Sequence, residues 1–354
     1  MPLLALVLLP LACTDDPSPG TGDGTTGGTE PSTFRAVFIA DTHVVAPQYQ
    51  CCSESDGIDN ESIMKTPDRL RSVVAKINAL DPAPAMVFIL GDLMHAPYWS
   101  SERAWYEEGD NAFSLTQEIL SELTVPVHIA WGNHDYEVDC GEEPVPVKGQ
   151  SDDLINVSRE FSNELFDAFF ATPPYQAIDH GGWRFVLGNG MLGPTWDHAS
   201  ADCATGLSSY GQEQLDWIED QLSEGLPTFF MTHHPIYVTS ISGEEGEGSL
   251  SQVLEAHDNV ELMMAGHTHR WIDAGDANPY PHIVIAATRY DTDNFWLLEF
   301  QPGEAVDVSE YGAGYEILDY DKPAWGTTCA DTWLYDGQIG PDPSDPPEEG
   351  DCGY

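Results

Sequence analysis

Histidines and acids gather at five places in this 354-residue chain, and each gathering has a spacing that suits metal binding. Asp41-Thr42-His43 and His267-Thr268-His269 each set two ligand side chains two residues apart. Gly91-Asp92 supplies a carboxylate, Gly132-Asn133-His134-Asp135 an amide oxygen beside an imidazole, and Thr232-His233-His234-Pro235 two imidazoles. Imidazole, carboxylate and amide oxygen make the mixed donor set that holds Zn, Fe or Mn. A carboxylate can bridge two cations, and Asp92 is placed to do so if its loop is central. Two cations roughly 3.5–4 Å apart clamp the attacking and leaving oxygens of a phosphoryl transfer. Gly91, Gly132 and Gly266 suit sharp backbone bends beside such a site. Alone, each cluster says little, since Gly-Asp marks turns everywhere. The ordered set of five points to a metal site.

Four of the five clusters directly follow a predicted strand. Apolar runs predict strands over 35–40, 85–90, 127–130, 183–187, 228–232, 260–265, 282–286 and 295–300. Several are continuous rather than alternating, as expected for strands covered on both faces. Leu70, Val73, Val74 and Ile77 recur at helical spacing within 67–80, and Leu215, Ile218 and Leu222 do so within 212–222. Strand and helix alternate, which argues for an α/β domain. Ligands of open α/β sheets bind beyond the carboxyl ends of strands. Five distant segments can therefore reach one crevice.

In this order Asp-x-His, Gly-Asp, Gly-Asn-His-Asp, His-x-Pro and Gly-His-x-His resemble the signature of the calcineurin-like metallophosphoesterases, over roughly residues 34–300. The resemblance implies an α/β fold of two mixed β-sheets packed as a sandwich and flanked by helices. It implies a first metal on Asp41, His43 and His269, a second on Asn133, His233 and His267, and Asp92 bridging them. The ions would be divalent or trivalent Fe, Zn or Mn. A metal-bound hydroxide would attack phosphorus, and His134 would assist the leaving oxygen. The chain departs from its relatives at one position. Purple acid phosphatases carry an iron-binding Tyr three residues after the bridging Asp, and Ser/Thr phosphatases an Asp that orients the catalytic His. Here that position is His95, so no tyrosinate-to-iron colour is expected, and Asp135 becomes a candidate for orienting His134. His95 itself is open to three readings: a support for the site, a substrate contact or an ordinary histidine.

The charge balance narrows the partners. With 60 Asp plus Glu against 12 Lys plus Arg, the formal charge is −48, which excludes nucleic-acid binding through a basic patch. A small phosphate ester is the expected substrate. Residues 3–12 are apolar but too few to span a bilayer, which takes roughly 20. They fit a signal peptide ending in Leu11-Ala12-Cys13, which resembles a bacterial lipoprotein cleavage box. Export to the cell envelope follows, with membrane contact only through a lipid on Cys13; free secretion is the alternative. Residues 14–33 read as a flexible tether, 34–300 as the catalytic domain, and 301–354 as an extension stapled by Cys329 and Cys352. Asn156-Val157-Ser158 matches a glycosylation sequon, discounted in a bacterial chain. His234 is expected to turn away from the site, and His128, His257 and His282 to be core or surface histidines. The aromatics Tyr98, Trp99, Trp105 and Tyr106 are expected to pack under a covering loop. A metal-binding lipoprotein that has lost turnover is the rival function, and the intact His134 argues against it. The sequence gives no oligomeric state.

Overall fold

The computed structural model describes residues 32–49, 63–137, 155, 157–197, 207–238, 249–269, 272–273, 280–290, 292, 294–301 and 315–319. The predicted signal, nearly all of the tether, Asn156 and all seven cysteines, with the Cys329–Cys352 staple, lie outside them.

Two mixed sheets lie face to face. The first contains β1 (Phe34–Ile39), β2 (Met86–Leu90), β3 (Val127–Ala130), β10 (Trp296–Phe300) and β11 (Tyr315–Asp319), in the order β11-β10-β1-β2-β3. The second contains β4 (Gln176–His180), β5 (Trp183–Leu187), β6 (Thr228–Met231), β7 (Val260–Ala265), β8 (Ile272–Asp273) and β9 (His282–Val284), in the order β4-β5-β6-β7-β9-β8. In the first sheet β1, β2 and β3 run parallel, in the second β5, β6, β7 and β9 do, and antiparallel strands complete both. Parallel alignment sends the ends of β1, β2 and β3 out on one side, and does the same for β6 and β7. All five site clusters follow those strands.

The continuous apolar runs have the expected cause. Along β1, Phe34, Ala36, Phe38 and then Ala40 enter the core between the sheets, while Val37 and Ile39 face the helices outside. The inter-sheet core is aromatic: Phe34 stacks on Phe300 at 4.9 Å and Phe88 on Phe185 at 4.9 Å. Such pairs add about 0.5–1.5 kcal/mol each beyond their burial.

Helices α1 (Thr66–Asn78), α2 (Arg103–Glu108), α3 (Ala112–Leu120), the single turn α4 (Asn133–Tyr136), α5 (Arg159–Phe170), α6 (Gln212–Ser223) and α7 (Leu250–Glu255) surround the sheets. The spacing read from sequence is the buried stripe of α1, formed by Leu70, Val73, Val74 and Ile77, with Pro67 in its first turn. Asn111 caps α3 through a reciprocal pair with Ser114, each bond 3.0 Å. Ser158 caps α5. The strands that sequence patterning missed are β4, β8 and β11, and all three are sheet edges. Leu215, Ile218 and Leu222 of α6 pack with Val186, Phe230 and Met263 on the outer face of the second sheet.

Candidate metal centre

The five clusters meet. Asp41, His43, Asp92 and His269 present ligand atoms within 4.8 Å of one another, and His233, His234 and His267 do the same. His43 Nε2 lies 2.9 Å from His269 Nε2, and His269 Nε2 lies 3.2 Å from Asp41 Oδ1. His233 Nε2 lies 3.1 Å from both Asp92 Oδ2 and Asn133 Oδ1, and His267 Nδ1 lies 3.2 Å from that same amide oxygen. Asp92 therefore faces both groups, since its Oδ2 is also 3.6 Å from His43 Nε2. Asp41, His43, Asp92, His233 and His269 are all buried.

This donor set fits cations. His233 Nδ1 sits 2.9 Å from the Leu90 carbonyl, which only accepts, so Nδ1 carries the hydrogen. Its Nε2 lone pair then meets a carboxylate oxygen and an amide oxygen, so three acceptors converge with no donor between them. A proton or a metal ion must sit there. The chain alone uses a proton: burial works against charge on His233, yet Asp92 and Asp41 outweigh it and lift its pKa to about 9. Burial pushes Asp41 up to about 8 and, aided by the charge on His233, His267 down to about 3. Asp92 resists burial through His233, His134 and His43 and stays well below the usual carboxylate range.

The backbone is strained where these side chains stand. Eight non-glycine residues among those described have left-handed φ, and five of them are Asp41 (52°), His43 (47°), Asp92 (48°), His267 (73°) and His269 (59°). Each such residue costs of order 1–3 kcal/mol and persists where the surroundings over-determine it, often at functional sites. Cross-strand hydrogen bonds do so here: Asp41 N–H donates to Gly91 O, His43 N–H to Asp92 O, and Thr288 N–H to Ala40 O. The Asp41 carboxylate accepts from His267 N–H at 3.1 Å, tying the first cluster to the last.

His134 lies beside the first group, its ring 4.9 Å from that of His43. Asp135 does not orient it. Both Asp135 oxygens are taken by backbone, Met94 N–H and Gly132 N–H at 2.9 Å each, so it clamps the β2 and β3 loops together. His134 Nδ1 instead meets Glu137 Oε1 at 3.0 Å, a partner that sequence reasoning missed. His95 sits against His134, ring centres 4.7 Å apart. His234 was expected to turn away, but the chain bends after β6 and its ring lies 4.3 Å from His267. His234 is buried, with neither ring nitrogen hydrogen-bonded among the described residues. Arg289, also missed, is buried with its guanidinium 4.9 Å from the Tyr290 ring, and its charge helps hold His43 and His269 neutral after burial. His128 lies in β3, His257 pairs with Glu219 at 3.2 Å, and His282 is buried in β9. Tyr98, in the loop after β2, and Tyr106, in α2, are buried, and Tyr98 donates to Asp135 O at 2.5 Å.

A sandwich of this topology, with imidazoles and carboxylates paired at its strand ends, is the frame of a metal-dependent phosphoesterase. Residues 34–271 match the calcineurin-like phosphoesterase family, and the chain belongs to it, as a metal-dependent hydrolase of phosphoric esters. It is 21% identical over 290 residues to the human manganese-dependent ADP-ribose/CDP-alcohol diphosphatase, covering 72% of this chain and 83% of that one. It is 23% identical over 206 residues to a probable cyclic nucleotide phosphodiesterase of Colwellia psychrerythraea, covering 55% and 63%. Among solved structures, a dimetal phosphatase from Danio rerio aligns with TM-score 0.49 at 16% identity, over 75% of this chain and 92% of that one. A purple acid phosphatase from yellow lupin seeds (Lupinus luteus) aligns with TM-score 0.44 at 15% identity, over 76% and 50%.

Proposed function

We propose that the chain hydrolyses small phosphate esters at a dinuclear centre. Asp41, His43 and His269 would hold one ion and Asn133, His233 and His267 the other, with Asp92 facing both groups. The observation that carries this is the convergence of Asp92 and Asn133 on His233 Nε2 and of Asp41 and His43 on His269 Nε2, with Asp92 also facing His43. Bound there, two metal ions would lower the pKa of a coordinated water towards neutrality and offset charge at phosphorus. His134 gives a proton to the leaving oxygen. His43, His267 and His269 are kept neutral by burial first, so their lone pairs are available to metal.

Both curated relatives are named for nucleotide substrates, which supports nucleotide diesters and diphosphates as the first substrates to try. The manganese in the first relative's name supports Mn²⁺ as the first ion, before Zn²⁺ and Fe. A net charge of −48 supports small esters over long polyanions. Release of p-nitrophenol from its phosphate mono- and diester, with Mn²⁺ or Zn²⁺ added, tests the proposal. Absence of turnover on both esters with either metal, in protein that binds metal, refutes it. We also propose export with lipid attachment at Cys13, on the strength of the apolar segment and cleavage box alone; fatty-acid labelling lost in Cys13→Ser is the check.

A further inference from the structure

His134 is held by a residue outside every motif. Glu137 closes the turn α4: its N–H donates to Asn133 O at 2.8 Å, and its backbone is left-handed, φ 46°. The side chain then reaches back to His134 Nδ1, 3.0 Å away. The same Oε1 accepts from Ala96 N–H at 3.3 Å, and Ala96 is also left-handed, φ 47°. Two strained residues outside the ligand set thus meet at one carboxylate oxygen. The neighbouring acid, Asp135, is committed to two backbone N–H groups. His95 backs the imidazole with its ring tilted by 31°.

We propose that Glu137 is the positioning residue for His134: it holds the imidazole by Nδ1, so that Nε2 alone faces the leaving group. The inference rests on the hydrolase reading above. A carboxylate at 3.0 Å can only accept, so Nδ1 carries hydrogen. During hydrolysis the P–O bond to the leaving group breaks and its electron pair stays on that oxygen. The proton from Nε2 of the imidazolium lands there. The imidazole left behind is neutral and still donates Nδ1–H to Glu137, which keeps its charge throughout. Residue 95 supplies no carboxylate for this task, and Glu137 supplies one three positions after His134.

Leaving-group dependence separates positioning from support of the fold. In metal-loaded Glu137→Ala, kcat on a phenyl ester should fall about 10–100-fold, the effect typical of losing an outer partner of a functional imidazole. The 2,4-dinitrophenyl ester of the same phosphate leaves without a proton, and its kcat should change less than about threefold. Glu137→Gln keeps an acceptor for both N–H groups and should recover most of the loss. His134→Ala/Glu137→Ala should be no slower than His134→Ala. In the Zn²⁺-loaded protein, ¹⁵N-edited NMR should show His134 with hydrogen fixed on Nδ1, and a mixed tautomer in Glu137→Ala. Equal losses on both esters, a slower double variant or an unchanged His134 signal would overturn the proposal. If the wild type turns over neither ester, the hydrolase reading falls, while the NMR comparison still decides the contact.

Discussion

Gly132 has an ordinary backbone, φ −113°, yet a side chain there should disable the centre. An added Cβ would lie 2.2 Å from Asp92 Oδ1, 2.5 Å from Asp92 N and 2.9 Å from His233 Cδ2. Real Cβ contacts essentially never fall below 3.0 Å, so the Asp92 oxygen must retreat by about 0.8 Å and the backbone behind it must follow. The retreat breaks the 2.9 Å bond from His134 N–H to Oδ1 and moves the carboxylate that faces both ligand groups. Overpacking of this kind destabilises by about 1–3 kcal/mol. A shift of about 1 Å in a reacting group can lower rates about 100-fold. Gly132→Ala should therefore lose about 100-fold in kcat/KM on p-nitrophenyl esters and bind less metal by elemental analysis, while the far-ultraviolet circular dichroism stays native. Gly225→Ala is the control. Gly225 is left-handed, φ 74°, with nothing within 4 Å, so its variant should melt somewhat lower at unchanged turnover. If Gly132→Ala keeps a full metal complement and wild-type kcat/KM, Asp92 is not held by these contacts and Gly132 does not set its place.

Metal-free protein should lose stability as pH rises from about 7.5 to about 9. Against burial, Asp92 and other carboxylates lift His134 and His233 to about 9, and burial lifts Asp41 to about 8. Burial lowers His43, His95, His234, His267 and His269, which opposes this slope near the ordinary imidazole range, but above about 7.5 the unfolded chain's imidazoles have shed nearly all their protons, so the folded state binds more and stability falls as they leave. Melting of chelator-treated protein from about pH 7.5 to 9 should slope downward, and the gain on adding Mn²⁺ should widen; a flat profile contradicts the assignment. His234→Ala should weaken retention of the proposed second metal about 10-fold, counted by equilibrium dialysis, because its ring lies against that of the proposed ligand His267. Arg184, buried and forked to Asp179 at 2.7 Å on both arms with Glu224 at 2.9 Å, lies at the start of β5, opposite the strand ends that carry the five clusters. Arg184→Met should lower stability by about 2 kcal/mol, discounted for the exposed partners, with no change in kcat.

Sequence patterning found the inner strands, since burial on both sides demands unbroken apolar runs, and the edge strand β3 from its short apolar run. It missed the other edges, β4, β8 and β11, because an edge strand needs less apolar surface: every residue of β4 is only half-buried. The convergence of the five motifs was legible because metal chemistry restricts donor types and the strand ends fix their place. Their supports were not. Glu137 is one acid among 60 Asp plus Glu until the left-handed turn aims it at His134. His234 turned inward because the alternation of a strand stops where β6 stops.

The glycines show how far motif reading goes. Bending accounts for Gly91, whose φ is 84°, but not for Gly132 or Gly266, which are crowded rather than contorted. A Cβ on Gly266 would meet Asp41 Oδ2 at 2.5 Å, and one on Gly91 would meet His233 Nδ1 at 2.4 Å. Together with Gly132 against Asp92, each glycine clears space for a ligand carried by a different loop. A glycine beside a ligand in sequence is thus explained by a ligand distant in sequence. Only the packing of two sheets, which brings the ends of β1, β2, β3, β6 and β7 within atomic contact, turns five local motifs into one steric unit. The site's geometry and the packing of the sheets are for that reason coupled, and substitutions that loosen the inter-sheet core near Ala40 and Ala130 should displace the side chains of the proposed centre.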